Sequence, residues 1–202
     1  EIFQKNMDKK IANTILPIND LIAKRWSPRA FKKEALDDSI ILKITEAARW
    51  SSSSFNEQPW RIIVGLNGDD TWNKILDSAV EFNQQWAKNA PLLVLIVSKT
   101  NFTHNNKTNN HHFYDCGQAA NSMLIQAIDL DIYCRQMAGF IPEKAIENFN
   151  IPEGYKPAVL MAFGYKGDEK ELGKLGEDEE KPRIRKSREE VIWSDWNQPL
   201  EL

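Results

Sequence analysis

Two cysteines, Cys116 and Cys134, are all that this chain of 202 residues holds, and they do not form a C-x-x-C pair. That excludes a disulfide framework and leaves two small buried apolar side chains as the reading. No apolar run reaches the ~18 residues of a membrane-spanning helix. No apolar stretch of signal-peptide type stands near the start, so no membrane partner and a cytoplasmic location are expected. Excess positive charge is also missing. Lys and Arg total 26 against 29 Asp and Glu, for a formal net charge of −3. No global field therefore draws nucleic acid, and an anion would need a local cluster of bases. G-x-G-x-x-G, the P-loop and G-x-S-x-G are absent, which removes the classical dinucleotide, kinase and serine-hydrolase readings. His104, His111 and His112 lie in an Asn-rich tract with no H-E-x-x-H spacing and no cysteine beside them. They read as solvated loop side chains, and no metal is expected.

What is present is a patterned chain with a substantial core. Hydrophobic residues make up 42%, with seven Trp and nine Phe. Residues 1–16 read as a separate N-terminal helical segment, and 17–202 as one domain. Asn19-Asp20 caps a short helix to about Arg25. Pro28 keeps Ser27 out of helical geometry. A helix starts at Asp37 or Asp38, with Ile40, Ile41, Ile44, Ala47 and Ala48 on one face. Trp60–Leu66 reads as a strand. Trp72, Ile75, Leu76 and Ala79 mark a helix that continues toward Trp86. The run Pro91–Val97 suits a strand buried on both faces. Residues 99–112 read as a mobile polar loop, followed by a long helix bearing Ala119, Ala120, Met123, Leu124, Ala127 and Ile128. Strands follow at 132–137 and 157–165, with a short helix from Pro142 between them. A charged tail ends in a basic cluster and a second short helix capped by Ser187. The alternation places the chain in the α/β or α+β class, as one layered domain.

Three irregular segments carry candidate binding residues. Arg25 and Arg29 form one Arg-x-Arg-like group, and Arg183 and Arg185 another. Guanidinium forks match phosphate oxygens, and a monoester carrying about −1.5 to −2 charges needs more than one of them. Ser51–Gln58 sets hydroxyls, amides and backbone N–H groups in a dense row between a helix and a strand, suited to a polyhydroxylated or heterocyclic ligand. Gly139, at a strand end, permits close backbone approach.

Taken in order, these segments resemble the nitroreductase family of FMN-dependent oxidoreductases. The opening Arg25-Trp26-Ser27-Pro28-Arg29-Ala30-Phe31 comes first, then a helix ending E-A-A-R-W. Next are Ser53-Ser54-Phe55-Asn56-Glu57-Gln58-Pro59-Trp60 and a helix opening Asp115-Cys116-Gly117-Gln118-Ala119-Ala120. A strand ending Gly139-Phe140 and a basic run before E-E-V-I complete the set. The resemblance implies an α+β fold with a mixed, mostly antiparallel sheet flanked by helices, in an intertwined homodimer with FMN at the interface. It implies that Arg25, Ser27 and Arg29, with Trp26 beside them, hold the phosphate and ribityl chain, and that Arg183 and Arg185 close over the phosphate. Asn83 would face the polar edge of the flavin ring, and the backbone of Ala138 and Gly139 would approach N5. Ser53, Ser54, Phe55, Asn56 and Gln58 would belong to the cofactor site, with Ser53, Ser54 and Asn56 offered to the opposite subunit's flavin. NAD(P)H is the implied hydride donor and an electron-poor small molecule, nitroaromatic or quinone, the acceptor. No catalytic side chain is required, since the flavin carries the chemistry.

Three departures stand out. Ser51-Ser52 replace a common Ala-Pro, and Phe55 replaces a small residue, which bears on substrate choice. The excursion that many members carry before the central helix is short here, leaving little sequence for a substrate lid. Other flavin chemistry on the same fold (flavin reduction, reductive dehalogenation, FMN cleavage) and FMN binding without turnover are the alternative functions.

Overall fold

The structure, a computed structural model, describes residues 10–202. Most of the N-terminal segment assigned to 1–16 thus lies outside the described residues. Helix α1 (Asp20–Lys24) is capped by Asn19, whose side chain accepts from the Leu21 N–H at 2.9 Å. Helix α2 (Asp38–Arg49) precedes strand β1 (Trp60–Leu66). Helices α3 (Asp70–Ser78) and α4 (Glu81–Ala87) lead to β2 (Leu92–Lys99). The long α5 (His112–Asp129) is followed by β3 (Tyr133–Met137), α6 (Pro142–Phe149) and β4 (Tyr155–Gly164). The tail holds a 3-10 turn at Glu169–Leu172, α7 (Lys174–Glu180), and a hairpin of β5 (Trp193–Asp195) and β6 (Gln198–Pro199).

The main sheet has the order β1-β2-β4-β3, and its three pairings are all antiparallel. Alternation along β2 builds two cores at once. Leu92, Val94 and Ile96 join Ile44 and Ala48 of α2 and Ala119, Met123 and Ala127 of α5 on one face. Leu93, Leu95 and Val97 join Trp72, Ile75, Trp86 and Ala145 on the other. Helices thus cover both faces of the sheet, which explains the uninterrupted apolar run in β2. The register of β2 on β4 shifts between Ile96 and Val97, skipping Ala158 and setting Val97 opposite Pro157, which has no N–H to give the ladder. Cys116 and Cys134 are free and buried in the first core. Burial pushes the Cys116 thiol up to about 11 and Cys134 higher still.

Two elements differ from the sequence reading. The helix expected to run from Trp72 toward Trp86 is broken at Ala79-Val80. There the chain is extended and bridges Phe140, with Val80 N–H donating to the Gly139 carbonyl and Ile141 N–H to that of Ser78. Tertiary pairing overrides local propensity at this point. The helix expected at Ser187 is a turn instead. Val191 and Ile192 N–H both close on the Arg188 carbonyl, and the chain then enters the β5–β6 hairpin through Asn197 at φ 58°.

Helix α3 lies directly on β1 at Gly65, where a Cβ would come within 2.5 Å of the Trp72 backbone. Gly65→Ala should therefore destabilise the fold by about 1–3 kcal/mol, as overpacking does. In a chain of this size that lowers Tm by several degrees. Calorimetry checks this, and an unchanged Tm would show that α3 can lift from the sheet freely.

Candidate functional site

The segment Arg25–Phe31 is extended because Pro28 forbids helix before it and because its far end is tied down. Phe31 bridges Lys166, and Lys32 N–H donates to the Tyr165 carbonyl at 2.9 Å. This seats the segment along β3, an edge strand. Trp26 turns inward and meets Tyr133 edge-on, 6.1 Å between centroids, with the Lys10 ammonium 4.8 Å from its ring. Ser27 lends its carbonyl to Arg135 Nη1 and its hydroxyl to Arg25 Nη1, the latter at 3.2 Å.

Arg25 meets the tail. Burial lowers its guanidinium below the ordinary value, and Arg185 lowers it further. Arg183 is lowered by burial first, then by Arg25 and Arg185. The three guanidiniums thus lie within mutual electrostatic range and remain charged at neutral pH. Among the described residues none of them forms an ion pair. Arg183 is held by the carbonyls of Lys10 at 2.9 Å and Ala23 at 2.8 Å, and Arg185 by the carbonyl of Ile184 at 2.8 Å. Segments far apart in the chain thus bring three like charges together, an arrangement that costs free energy unless an anion offsets it.

Arg29 does not join these three. It pairs with Glu179 of α7, with 4.0 Å between Nη1 and Oε1, and the same carboxylate accepts the Arg29 N–H. Burial raises the Glu179 carboxyl, while the amides of Arg29 and Ala30 and the Arg135 and Arg29 guanidiniums pull it back. Arg29 Nε and Glu179 Oε2 are buried without a hydrogen-bond partner. Sequence reasoning missed Glu179, since nothing distinguishes it within the acidic run 177–180. It also missed Arg135, although a charged residue at an inward-pointing strand position is a readable anomaly.

Arg135 lies 5.6 Å from the Trp86 ring centroid. Trp86 Nε1 donates to Asn83 Oδ1 at 3.2 Å, and Asn83 Nδ2 donates to the Gly139 carbonyl at 2.8 Å. A Cβ on Gly139 would fall 2.7 Å from Asn83 Nδ2, so the contact needs glycine. A continuous line of contacts therefore runs from Ser27 through Arg135, Trp86 and Asn83 to Gly139, with Ala138 exposed beside it. A cluster of bases, a polar amide and a bare backbone turn lie along one sheet edge.

The nitroreductase family model matches this chain at residues 22–84 and 67–165. The chain belongs to the nitroreductase family. A solved oxidoreductase containing FMN is similar to it at 30% identity and a TM-score of 0.85, over 90% of this chain and 93% of that one. A Methanothermobacter thermautotrophicus protein, provisionally named NADH dehydrogenase/NAD(P)H nitroreductase, is 24% identical over 79% of this chain and 82% of its own length. A provisionally named nitroreductase from Desulfovibrio desulfuricans, solved in complex with FMN, shares the fold. Its identity is 19% and its TM-score 0.66, over 90% of this chain and 98% of its own.

In this member of the family the serine tract is not slack. Ser51 Oγ donates to Ser122 Oγ at 2.7 Å and Ser52 Oγ to Gln118 Oε1 at 2.6 Å, both on α5. The Ser54 N–H donates to buried Asp115 at 3.2 Å, and Ser53 Oγ accepts from the Gln58 N–H at 3.0 Å. Gln58 Nε2 returns to the carbonyl and side chain of Asn56. These bonds hold Phe55, Asn56 and Gln58 at φ 53°, 54° and 49°, where residues other than glycine are uncommon.

The tract stands far from the arginines. It leads into β1, where Trp60 faces Ser98 and Ser98 faces Lys156. The arginine segment borders β3, the opposite edge strand, near the far end of β4. Three interstrand spacings, roughly 14 Å, and about six residues of strand, roughly 20 Å, lie between them.

The loop after β2 is fastened as well, against the mobility expected of 99–112. Asn101 bridges Thr108, Thr100 N–H donates to Gly154 and Asn109 N–H to Thr100. His112 Nδ1 lies 2.9 Å from the Ser98 hydroxyl. Glu57 ties this loop to the serine tract, accepting from the Thr103 N–H at 2.8 Å and its hydroxyl at 2.5 Å, with Lys99 Nζ at 3.3 Å. Burial alone would raise the Glu57 carboxyl. The Thr103 hydroxyl and amide and the Lys99 ammonium outweigh burial and hold it below its ordinary value of 4.5. A depressed folded-state pKa stabilises above the unfolded value and is lost as pH falls through the folded one. The Thr103 amide should thus lose protection from hydrogen exchange below about pH 4, before the amides of β2. Equal loss in both would show that the tether carries no separate stability.

Proposed function

We propose that this nitroreductase binds FMN and passes a hydride from NAD(P)H to an electron-poor small molecule of nitroaromatic or quinone type, working as an intertwined homodimer built on residues 17–202. The observation that carries the reading is the convergence of Arg25, Arg183 and Arg185, which no carboxylate neutralises among the described residues. A phosphate monoester supplies the missing charge. The similar oxidoreductase containing FMN supports the choice of cofactor, and the nicotinamide donor follows the Methanothermobacter relative's name.

When bound, FMN supplies reversible hydride exchange at N5. The chain's part is to bind, orient and set charge. Arg25, Arg183 and Arg185 hold the phosphate, and the Ser27 hydroxyl stands beside them. Arg29 is committed to Glu179, so its contribution is a fixed positive charge with one spare N–H at Nε. Asn83 is buried on the same edge with its amide closed on the Gly139 carbonyl, a contact that needs the glycine, and it would steady the Ala138-Gly139 backbone that the ring approaches. Protons come from water, so no acid–base side chain is needed.

A second copy of the chain completes the site. The serine tract is too distant from the arginines of its own chain to share one cofactor with them. Ser53, Ser54 and Asn56 therefore serve the partner's flavin. Exposed apolar side chains beside the tract support an interface there. Leu42 of α2, Trp50 just after it, and Phe113 and Tyr114 of α5 all face outward, and an open depression lined by Leu42, Ala47, Trp50 and Gln126 runs between these helices.

Purified protein should be yellow, and NADH or NADPH should bleach it, with colour restored by a quinone. Colour without bleaching would mark a binding protein without turnover. The phosphate assignment has a sharper test. Arg25→Ala and Arg185→Ala each remove a charged hydrogen bond worth about 1.5–3 kcal/mol, so FMN should bind at least ~10-fold more weakly. The cofactor-free Tm should hold or rise, because each change relieves repulsion. Unchanged FMN affinity in both variants would refute the assignment.

A further inference from the structure

Phe55 is the anomaly of the serine tract. Its side chain is 81% exposed, and its backbone is held at φ 53°. A bulky residue in that conformation costs about 1–3 kcal/mol and persists only where its surroundings enforce it. Its ring packs edge-on against Phe102, with centroids 5.6 Å apart, and tilts against His104 at 5.7 Å. Phe102 and His104 are themselves 5.3 Å apart. Three rings from two segments therefore touch pairwise.

Both segments are braced for this. Phe102 N–H donates to the Lys107 carbonyl at 2.8 Å, and Asn106 N–H returns to the Phe102 carbonyl at 2.9 Å. Glu57, two residues after Phe55, grips Thr103, one residue after Phe102. A strained backbone, a clamped carboxylate and a closed turn hold Phe55 and His104 out in solvent against half-buried Phe102, although burial would ordinarily draw the Phe55 ring in. The connection from β2 to α5, too short to form a separate lid domain, supplies two of the three rings.

We infer that Phe55, Phe102 and His104 form the platform on which the acceptor lies, and that the acceptor is a planar, electron-poor aromatic or quinone. The inference rests on the flavin reading, in which the serine tract faces the partner's cofactor and these rings extend that wall. An aromatic face carries negative quadrupole charge, so the open side of Phe55 favours an electron-poor ring over an electron-rich or non-planar one. The His104 imidazole adds an N–H that a nitro or quinone oxygen accepts.

The test uses FMN-loaded protein and the variants Phe102→Ala and His104→Ala. Phe102→Leu is added because it keeps apolar bulk in the turn but removes the ring. Three quantities are measured: the FMN Kd, the Kd of 4-nitrobenzoate for the oxidised protein read from the flavin absorption band, and KM and kcat with menadione and with ferricyanide. An aromatic contact is worth about 0.5–1.5 kcal/mol. Menadione KM and 4-nitrobenzoate Kd should therefore rise about 3–10-fold in both Phe102 variants and less in His104→Ala, with kcat and FMN Kd little changed. Ferricyanide, an octahedral ion that cannot stack, should keep its KM. Unchanged menadione KM and 4-nitrobenzoate Kd in the Phe102 variants would overturn the inference. So would an equal loss with ferricyanide, which would mark the rings as support for the loop alone. Weakened FMN binding in the variants would move the rings onto the cofactor and also overturn it. Wild-type protein that takes up no FMN would overturn the flavin reading, and the platform with it.

Discussion

Like charges repel, and the candidate site depends on holding three of them together. Arg25 lies near the start of the described chain, and Arg183 and Arg185 near its end. Their convergence weakens the empty protein and strengthens its grip on an anion, so the scaffold must supply the restraint. Part comes from Arg183, whose Nη1 alone donates to the carbonyls of Lys10 and Ala23. Part comes from Glu179, whose buried carboxylate meets Arg29 and its amide and locks α7 against the Arg25–Phe31 segment. Glu179 pairs with the neighbouring Arg29 and lies within electrostatic range of Arg135, while among the described residues Arg25, Arg183 and Arg185 have no ion-pair partner. The acidic and basic halves of the tail thus have separate tasks.

The sheet sets the remaining distances. The strand order β1-β2-β4-β3 leaves β1 and β3 as opposite edges, and each edge borders one half of the candidate site. The break between α3 and α4 matters for the same reason. By pairing Ala79 with Phe140, the chain swings α4 so that Asn83 reaches the Gly139 carbonyl and Trp86 lies against Arg135. An unbroken helix would carry these side chains past the strand end.

Much of this was legible in the sequence. The strand Trp60–Leu66 shows itself by its run of apolar residues closed by Asn67-Gly68, and the faces of α2 and α5 follow from their 3.6-residue period. The order of motifs gave the family. What stayed hidden were pairings between distant positions. Glu179 is one acid among neighbours until Arg29 is placed beside it, and the break at Ala79 exists only because Phe140 comes to meet it. Residues 99–112 look mobile by composition, yet Glu57 and Gly154 fasten them from outside the segment. Ser51 and Ser52, which depart from the family pattern, anchor the tract to α5, a role that becomes visible only once Gln118 and Ser122 are known to face it.

The diagonal separation of the arginine cluster from the serine tract has a genetic consequence. In the proposed dimer each site draws its arginines from one copy and its serine tract from the other. A copy damaged at Arg25 and a copy damaged in the serine tract would each fail as homodimers. Paired, they would assemble one site with both lesions and one site with neither. Two loss-of-function alleles of this gene could therefore restore each other, and the pairs that do so would sort every site residue to one edge of the sheet or the other.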